Sequence, residues 1–219
     1  MEMITDLLII GAGGTSREIA AAVADINRKA SRWNLLGFLD DDASKHGTAV
    51  DGLPVLGTLD SVSRYTARLI IGIAHWRYPA VRRDVSARLA LPRERYATII
   101  HPSASISLHA KVGAGTAILQ NVVITSGTVV GDHVLILQNV TMAHDQIVED
   151  FVTIAPAATM AGSVHLKEGS YIGAGSTIMN DVVVNECAVV GLGSVLIRNV
   201  PAGRTVRGNP AREMPSRRR

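Results

Sequence analysis

The chain has 219 residues, 47% apolar and 19% charged, a globular balance with enough length for one large or two small cores. Aromatic residues are only 4% while glycine supplies 20 positions, so the interior is expected to be filled by Ile, Val, Leu and Ala rather than by rings. The net charge of +3 comes without a basic stripe interleaved with aromatics, which argues against nucleic acid as a partner.

From the N terminus, Leu7 to Ile10 is an apolar run too short for a signal peptide or a membrane span, and no basic segment precedes it. A cytoplasmic protein without membrane insertion is expected. The run reads as part of a strand, Asp6 to Ile10. A helical pattern follows from Ser16 toward Arg28, then strands at Asn34 to Leu39 and Leu69 to Ile73, a helix near Pro79 to Leu89 and a strand at Tyr96 to Ile100. Strands alternating with helices predict a small Rossmann-like α/β domain over residues 1–97.

Between the first strand and helix lies Gly11-Ala12-Gly13-Gly14-Thr15-Ser16, the place where a glycine-rich turn and a helix N-terminus hold phosphate. Asp40 and Asp41 end the next strand, where a carboxylate accepts from ribose hydroxyls or a base. Dinucleotide binding is the competing reading. Against it, Ser16 replaces the last glycine of that fingerprint, and the domain supplies only one βαβ half. A purely structural role, with the glycines shaping a tight turn, stays open.

The period changes after residue 97. Stepping by six from Ile100 meets Ile106, Val112, Ile118, Ile124, Val130, Ile136, Met142, Val148, Ile154, Met160, Leu166, Ile172, Ile178, Val184, Val190 and Leu196, all aliphatic. Three places after these anchors come residues that accept tight turns, such as Gly115, Asn121, Gly127, Asn139, Asp145 and Gly169. Four places after them the side chain is usually small or β-branched, with Gln146 the exception. Each hexapeptide is thus one short strand plus a corner, and three make a triangular coil of about 18 residues with the anchors inside. A parallel β-helix followed by a C-terminal tail is expected over residues 98–219. No frame slip interrupts the coils, so ligands must bind on outer faces or between subunits. Cys187, the single cysteine, falls inside the repeat and reads as a packing residue.

His144 and Asp145 follow the anchor Met142 by two and three places, on a corner facing outward. One coil away stand Ser126 and Gly162, and Gly162 leaves room beside the imidazole. Acyl transfer to an amine or hydroxyl needs a base for the departing proton, and imidazole exchanges protons near neutral pH. An adjacent carboxylate orients the ring, and a backbone amide such as that of Gly162 stabilises the oxyanion. The competing reading is an exposed corner histidine like His109 and His133.

The chain resembles the hexapeptide-repeat sugar acetyltransferases of the PglD/NeuD type, which include nucleotide-sugar N-acetyltransferases and sialic acid O-acetyltransferases. The segments that carry the likeness are Ile10 to Glu18, Gly37 to Asp41, Ile70 to Gly72, His101 to Ala104, Met142 to Asp145, Ile172 to Gly175 and Val206 to Ala211. The resemblance implies a left-handed β-helix, an acetyl-CoA co-substrate, a nucleotide-linked amino sugar as acceptor and a homotrimer with the donor between subunits. It implies His144 as base and Asp145 as its partner. Thr153 stands where the family has a second histidine that contacts the donor, with Gly162 beside the reacting group, Ala174 and Leu192 along the pantetheine arm, and Arg204 and Arg207 near the phosphates. Gly13, Gly14, Thr15, Asp40, Asp41 and Gly72 would line the nucleotide-sugar pocket, Thr15 replacing a histidine common there. Alternatives are a sugar O-acetyltransferase and a non-enzymatic nucleotide-sugar scaffold. A trimeric metalloenzyme resembling the γ-type carbonic anhydrases is disfavoured, because His144 has no histidine about five residues away; no metal is expected. For Arg204, Arg207 and the terminal Arg217, Arg218 and Arg219, a merely solvated tail competes with phosphate attraction.

Overall fold

A computed structural model describes residues 4–214; Arg217, Arg218 and Arg219 lie outside the described residues. The N-terminal part is built on β1 (Thr5–Ile10), α1 (Gly14–Lys29), β2 (Trp33–Leu39), a short hairpin of β3 (Ala49–Val50) and β4 (Leu53–Pro54), β5 (Arg68–Ile71) and α2 (Val81–Leu89). Three parallel strands in the order β2, β1, β5 form its sheet. Leu7 to Ile10 are fully buried because both faces of β1 are covered. Tyr96 to Ile100 does not become a fourth strand. Tyr96 makes one isolated bridge to Leu69, and Ile99–Ile100 instead opens the second part.

There, two-residue strands β6 to β22 recur every six residues from Ile99–Ile100 to Val195–Leu196, and residues eighteen apart pair in parallel, as Thr141 does with Val123 and Thr159. Three ladders result. Face 1 contains β6, β9, β12, β15, β18 and β21; face 2 contains β7, β10, β13, β16, β19 and β22; face 3 contains β8, β11, β14, β17 and β20. Face 1 is extended by β23 (Thr205–Gly208) and its antiparallel partner β24 (Ala211–Glu213). The anchors from Ile118 to Leu196 are buried in one continuous core. The first three anchors depart from expectation: Ile100 is 40% exposed and Ile106 and Val112 are half-buried. They belong to the first coil, which has no coil beneath it to cover its interior.

The N-terminal part packs on face 1. Outward residues of that face and the corner after it, Ala117, Leu119, Leu135 and Leu137, share a core with Leu7, Ile9 and Ile19. Polar ties flank this seam. His101 Nε2 lies 2.9 Å from Asp25 of α1, and Arg93 forks onto Asp132 at 2.6 and 2.7 Å. No described helix is long and apolar enough to cross a membrane.

Candidate active site

His144 and Asp145 occupy the edge where face 2 turns into face 3, opposite the face covered by the N-terminal part. Asp145 sits in the left-handed region at φ +58, which the corner requires and which Asp tolerates better than most residues. Its N–H donates to Ser126 O at 2.9 Å, locking it onto the coil before. Asp145 Oδ2 lies 2.9 Å from His144 Nδ1. An ionised carboxylate only accepts, so Nδ1 carries the proton and Nε2 is left with its lone pair free. The two side chains are 61% and 66% exposed.

Glycines on the neighbouring coils make room for this pair. A Cβ at Gly162 would stand 2.7 Å from His144 Nε2, and one at Gly127 would overlap the Asp145 carboxylate. The Gly162 N–H makes no hydrogen bond to another described group and remains available to a carbonyl oxygen. Beneath it, Gln146 is fully buried and its Nε2 donates to Met160 O at 3.2 Å and Ala161 O at 3.0 Å. The residue that breaks the small-side-chain row therefore holds the backbone leading into Gly162. Gly127 and Gln146 were not foreseen as parts of the site; counting one coil back from Asp145 would have found the glycine.

Other expected donor contacts fall elsewhere. Ala174 and the 81% exposed Leu192 stack one coil apart on the edge between faces 1 and 2. Arg207 follows on β23, its Cβ close to Gly191 on that edge, and exposed Arg204 lies 3.4 Å from Glu213. Within one chain, face 2 with its exposed Thr141, Thr159 and Thr177 separates these residues from His144. Thr153 joins neither group. It lies on face 1, 3% exposed, between Leu135 and Tyr171, so its hydroxyl is not presented at the His144 edge.

A second cleft of about 330 Å³ lies in the N-terminal part, lined by Gly13, Gly14, Thr15, Asp40, Asp41 and Gly72 together with Gly11, Lys45 and Ile73. The N-terminus of α1 opens into it, and the N-cap Gly13 supplies no side-chain cap, which leaves amides for an anionic ligand. The two acids line the cleft and are also engaged within the protein. Asp40 accepts from Ala12 N–H at 2.7 Å, Asp42 N–H at 2.9 Å and Lys45 Nζ at 3.0 Å. Burial pushes the Asp40 carboxyl up, but these bonds outweigh it and hold it below its usual value. Asp41 accepts from Leu59 N–H at 3.0 Å and pairs with Arg88. Both carboxylates thus also shape the loop that lines the cleft. Lys45, overlooked in the sequence, adds a cation to the cleft lining. Gly72 is a close approach: a Cβ would come within 2.9 Å of Ser16 Cα, and the buried Ser16 Oγ donates to Gly72 O at 3.0 Å. The helix–strand contact that the missing fingerprint glycine would have allowed is provided from the strand side.

Fold and site define an acyltransferase of the hexapeptide-repeat type, with a left-handed β-helix behind an α/β domain. Residues 6–89 match the family model of the PglD N-terminal domain, and the chain as a whole has the architecture of the hexapeptide-repeat sugar acetyltransferases. It is similar to the acetyltransferase domain of PglB from Neisseria gonorrhoeae FA1090, at 28% identity and TM-score 0.83, over 96% of this chain and 100% of that one. WeeI from Acinetobacter baumannii AYE is 27% identical with TM-score 0.79, over 96% and 100% of the two chains. PerB from Caulobacter crescentus, solved with CoA and GDP-perosamine, is 25% identical with TM-score 0.84, over 97% and 99%. A search of the curated proteins gives no match.

Proposed function

We propose that the protein transfers an acetyl group from acetyl-CoA to the amino group of a nucleotide-linked sugar in surface glycan biosynthesis. The observation that carries this reading is the His144 imidazole, with Nδ1 held by Asp145 and Nε2 open beside the unused Gly162 amide. Nε2 takes the proton from the acceptor amine as its nitrogen bonds to the thioester carbonyl carbon. The Gly162 N–H donates to the carbonyl oxygen as negative charge builds there, and as the C–S bond breaks the sulfur of CoA takes the proton back from Nε2 and leaves as the thiol. No covalent enzyme intermediate is required. The relatives support the choice of donor and acceptor class: a PglB structure contains acetyl-CoA and a PerB structure contains CoA with GDP-perosamine.

The α/β part, residues 1–97, is the nucleotide-sugar domain in this reading, with Gly13, Gly14, Thr15 and Lys45 around the diphosphate and Gly72 shaping the cleft. The β-helix, residues 98–219 with the tail, is the transferase domain. Ala174 and Leu192 would flank the pantetheine arm, and Arg204 and Arg207 would meet the phosphates; the exposure of all four suits contact with a bound molecule. These residues and His144 lie on different edges, and the cleft belongs to the part packed on face 1, opposite the His144 edge. A complete site is therefore assembled from more than one copy, and a homotrimer is the proposed state.

The test is acetylation of a panel of UDP-, GDP- and dTDP-linked amino sugars by the purified protein, followed as thiol release. His144→Ala should remove activity with whichever sugar is accepted; undiminished turnover in that variant would reject the assignment. Product from a sugar bearing only hydroxyls would move the reading to O-acetylation.

A further inference from the structure

Arg82 of α2 is a charged side chain with 1% of its surface exposed. Its hydrogen-bond partners are four backbone carbonyls: Ile73 at 2.8 Å, His133 at 3.1 Å, Phe151 at 2.5 Å and Val152 at 3.0 Å. Burial pushes its pKa down to about 9, so the guanidinium remains charged at neutral pH. A buried cation without a carboxylate is costly, and apolar groups of similar size often serve stability better. Ala117 and Leu135 already cover the same seam in that way. The arrangement of the four carbonyls indicates what the charge accomplishes. Ile73 lines the N-terminal cleft. His133 stands at the start, and Phe151 and Val152 at the end, of the one coil that carries His144 and Asp145. A planar fork with several fixed N–H directions holds these three backbone segments in one register, which no apolar side chain does.

We infer that Arg82 is a positioning residue for the transfer reaction, setting the cleft at the level of the His144 layer so that the acceptor arrives at the height of the imidazole. The inference rests on the acetyl-transfer reading above. The cleft belongs to the part packed on face 1 and His144 to the opposite edge of the same chain, so the imidazole that the acceptor meets belongs to a neighbouring copy. Copies related by rotation about an axis along the stack keep every residue at the same level. The level that Arg82 sets in its own chain is then also the level at the partner's imidazole.

The experiment compares Arg82→Gln and Arg82→Lys with the full-length parent, using two acceptors: a nucleotide-linked amino sugar that the parent acetylates, and the same amino sugar without its nucleotide. The free sugar is not delivered by the cleft. With the nucleotide-linked acceptor, kcat/KM should fall about 30-fold in Arg82→Gln, the scale of an ångström-sized misplacement, and less in Arg82→Lys, which keeps the charge but not the fork. The slow rate with free sugar and the KM for acetyl-CoA should stay within about twofold of the parent, since both depend on the β-helix alone. Should Arg82→Gln fail to fold in a thermal melt, Arg82→Lys carries the same comparison. Equal losses with both acceptors mean a purely structural residue and overturn the inference, as does an unchanged kcat/KM with the nucleotide-linked acceptor. A parent that acetylates no nucleotide-linked sugar rejects the acetyl-transfer reading itself, and this role with it.

Discussion

The imidazole of His144 lies against Gly162 one coil further on, so closely that a Cβ at that glycine would stand 2.5 Å from Cε1 and 2.7 Å from Nε2. Gly162→Ala should therefore push the ring out of line and lower kcat by about 10- to 100-fold. Gly162 has no left-handed φ to lose, so thermal stability should change little. Steady-state kinetics beside a melting curve checks both; full activity in a folded Gly162→Ala protein would show that the ring needs no such berth.

Asp145→Asn keeps the corner, because asparagine already occupies the same left-handed position at Asn121 and Asn139. What changes is the acceptor-only carboxylate that fixes the proton on Nδ1. The expected result is a loss of about 100-fold or more in kcat with nearly unchanged stability. Asp145→Ala should lose activity and some stability as well, since alanine is strained at that φ.

At the other site, Gly72→Ala drives a methyl into Ser16 and should destabilise the protein by about 1–3 kcal/mol in urea titrations. Adding Ser16→Gly to the same chain should recover part of that loss, because two of the three closest atoms are the serine Oγ and Cβ. Full additivity of the two losses would mean that the contact is not what limits the position.

Acid sensitivity should begin earlier than carboxylates alone would cause. Burial holds His133 below the ordinary value of 6.5, and burial, then Lys29 and Arg28, do the same for His101. In each case the unfolded chain binds a proton before the folded one does, so the stability present above about pH 6.5 is lost as pH falls through the lowered folded values. The urea midpoint should drop between about pH 7.5 and 5.5. His133→Asn, which tolerates the φ of +56 at that corner, should make the drop smaller; an identical pH profile would count against the role of His133.

Periodicity alone predicted the coil, its corners and the outward direction of His144, since a six-residue frame leaves no freedom about which side chains point in. It could not show that His133, Phe151, Ala157, Ser163 and Cys187 adopt the same left-handed turn as the glycines. Closure of the coil imposes that conformation, and stacking against neighbouring layers offsets a cost of about 1 kcal/mol at each. Asp40 and Asp41 line the cleft where their place after a strand puts them, but the backbone amides and basic side chains that they also hold could not be read from the sequence. Arg82 gave no signal in the sequence. An arginine on a helix otherwise rich in charge reads as solvated until the carbonyls of three distant segments converge on it.

The β-helix also constrains how such a chain can change in length. Losing one residue between Ile118 and Leu196 would send every later aliphatic anchor off the interior. Losing a hexapeptide would preserve the core but rotate all that follows by a third of a turn, shifting each downstream corner to another edge. Only gains or losses of whole 18-residue coils restore both the core and the facing of the edges. Even then, a coil added between Ser163 and Gly173 leaves the imidazole and Gly162 beside it untouched while lifting Ala174, Leu192, Arg204 and Arg207 one layer away. Insertions and deletions are thus counted in units of a coil, and their placement relative to residue 144 determines whether donor-side contacts keep pace with the base.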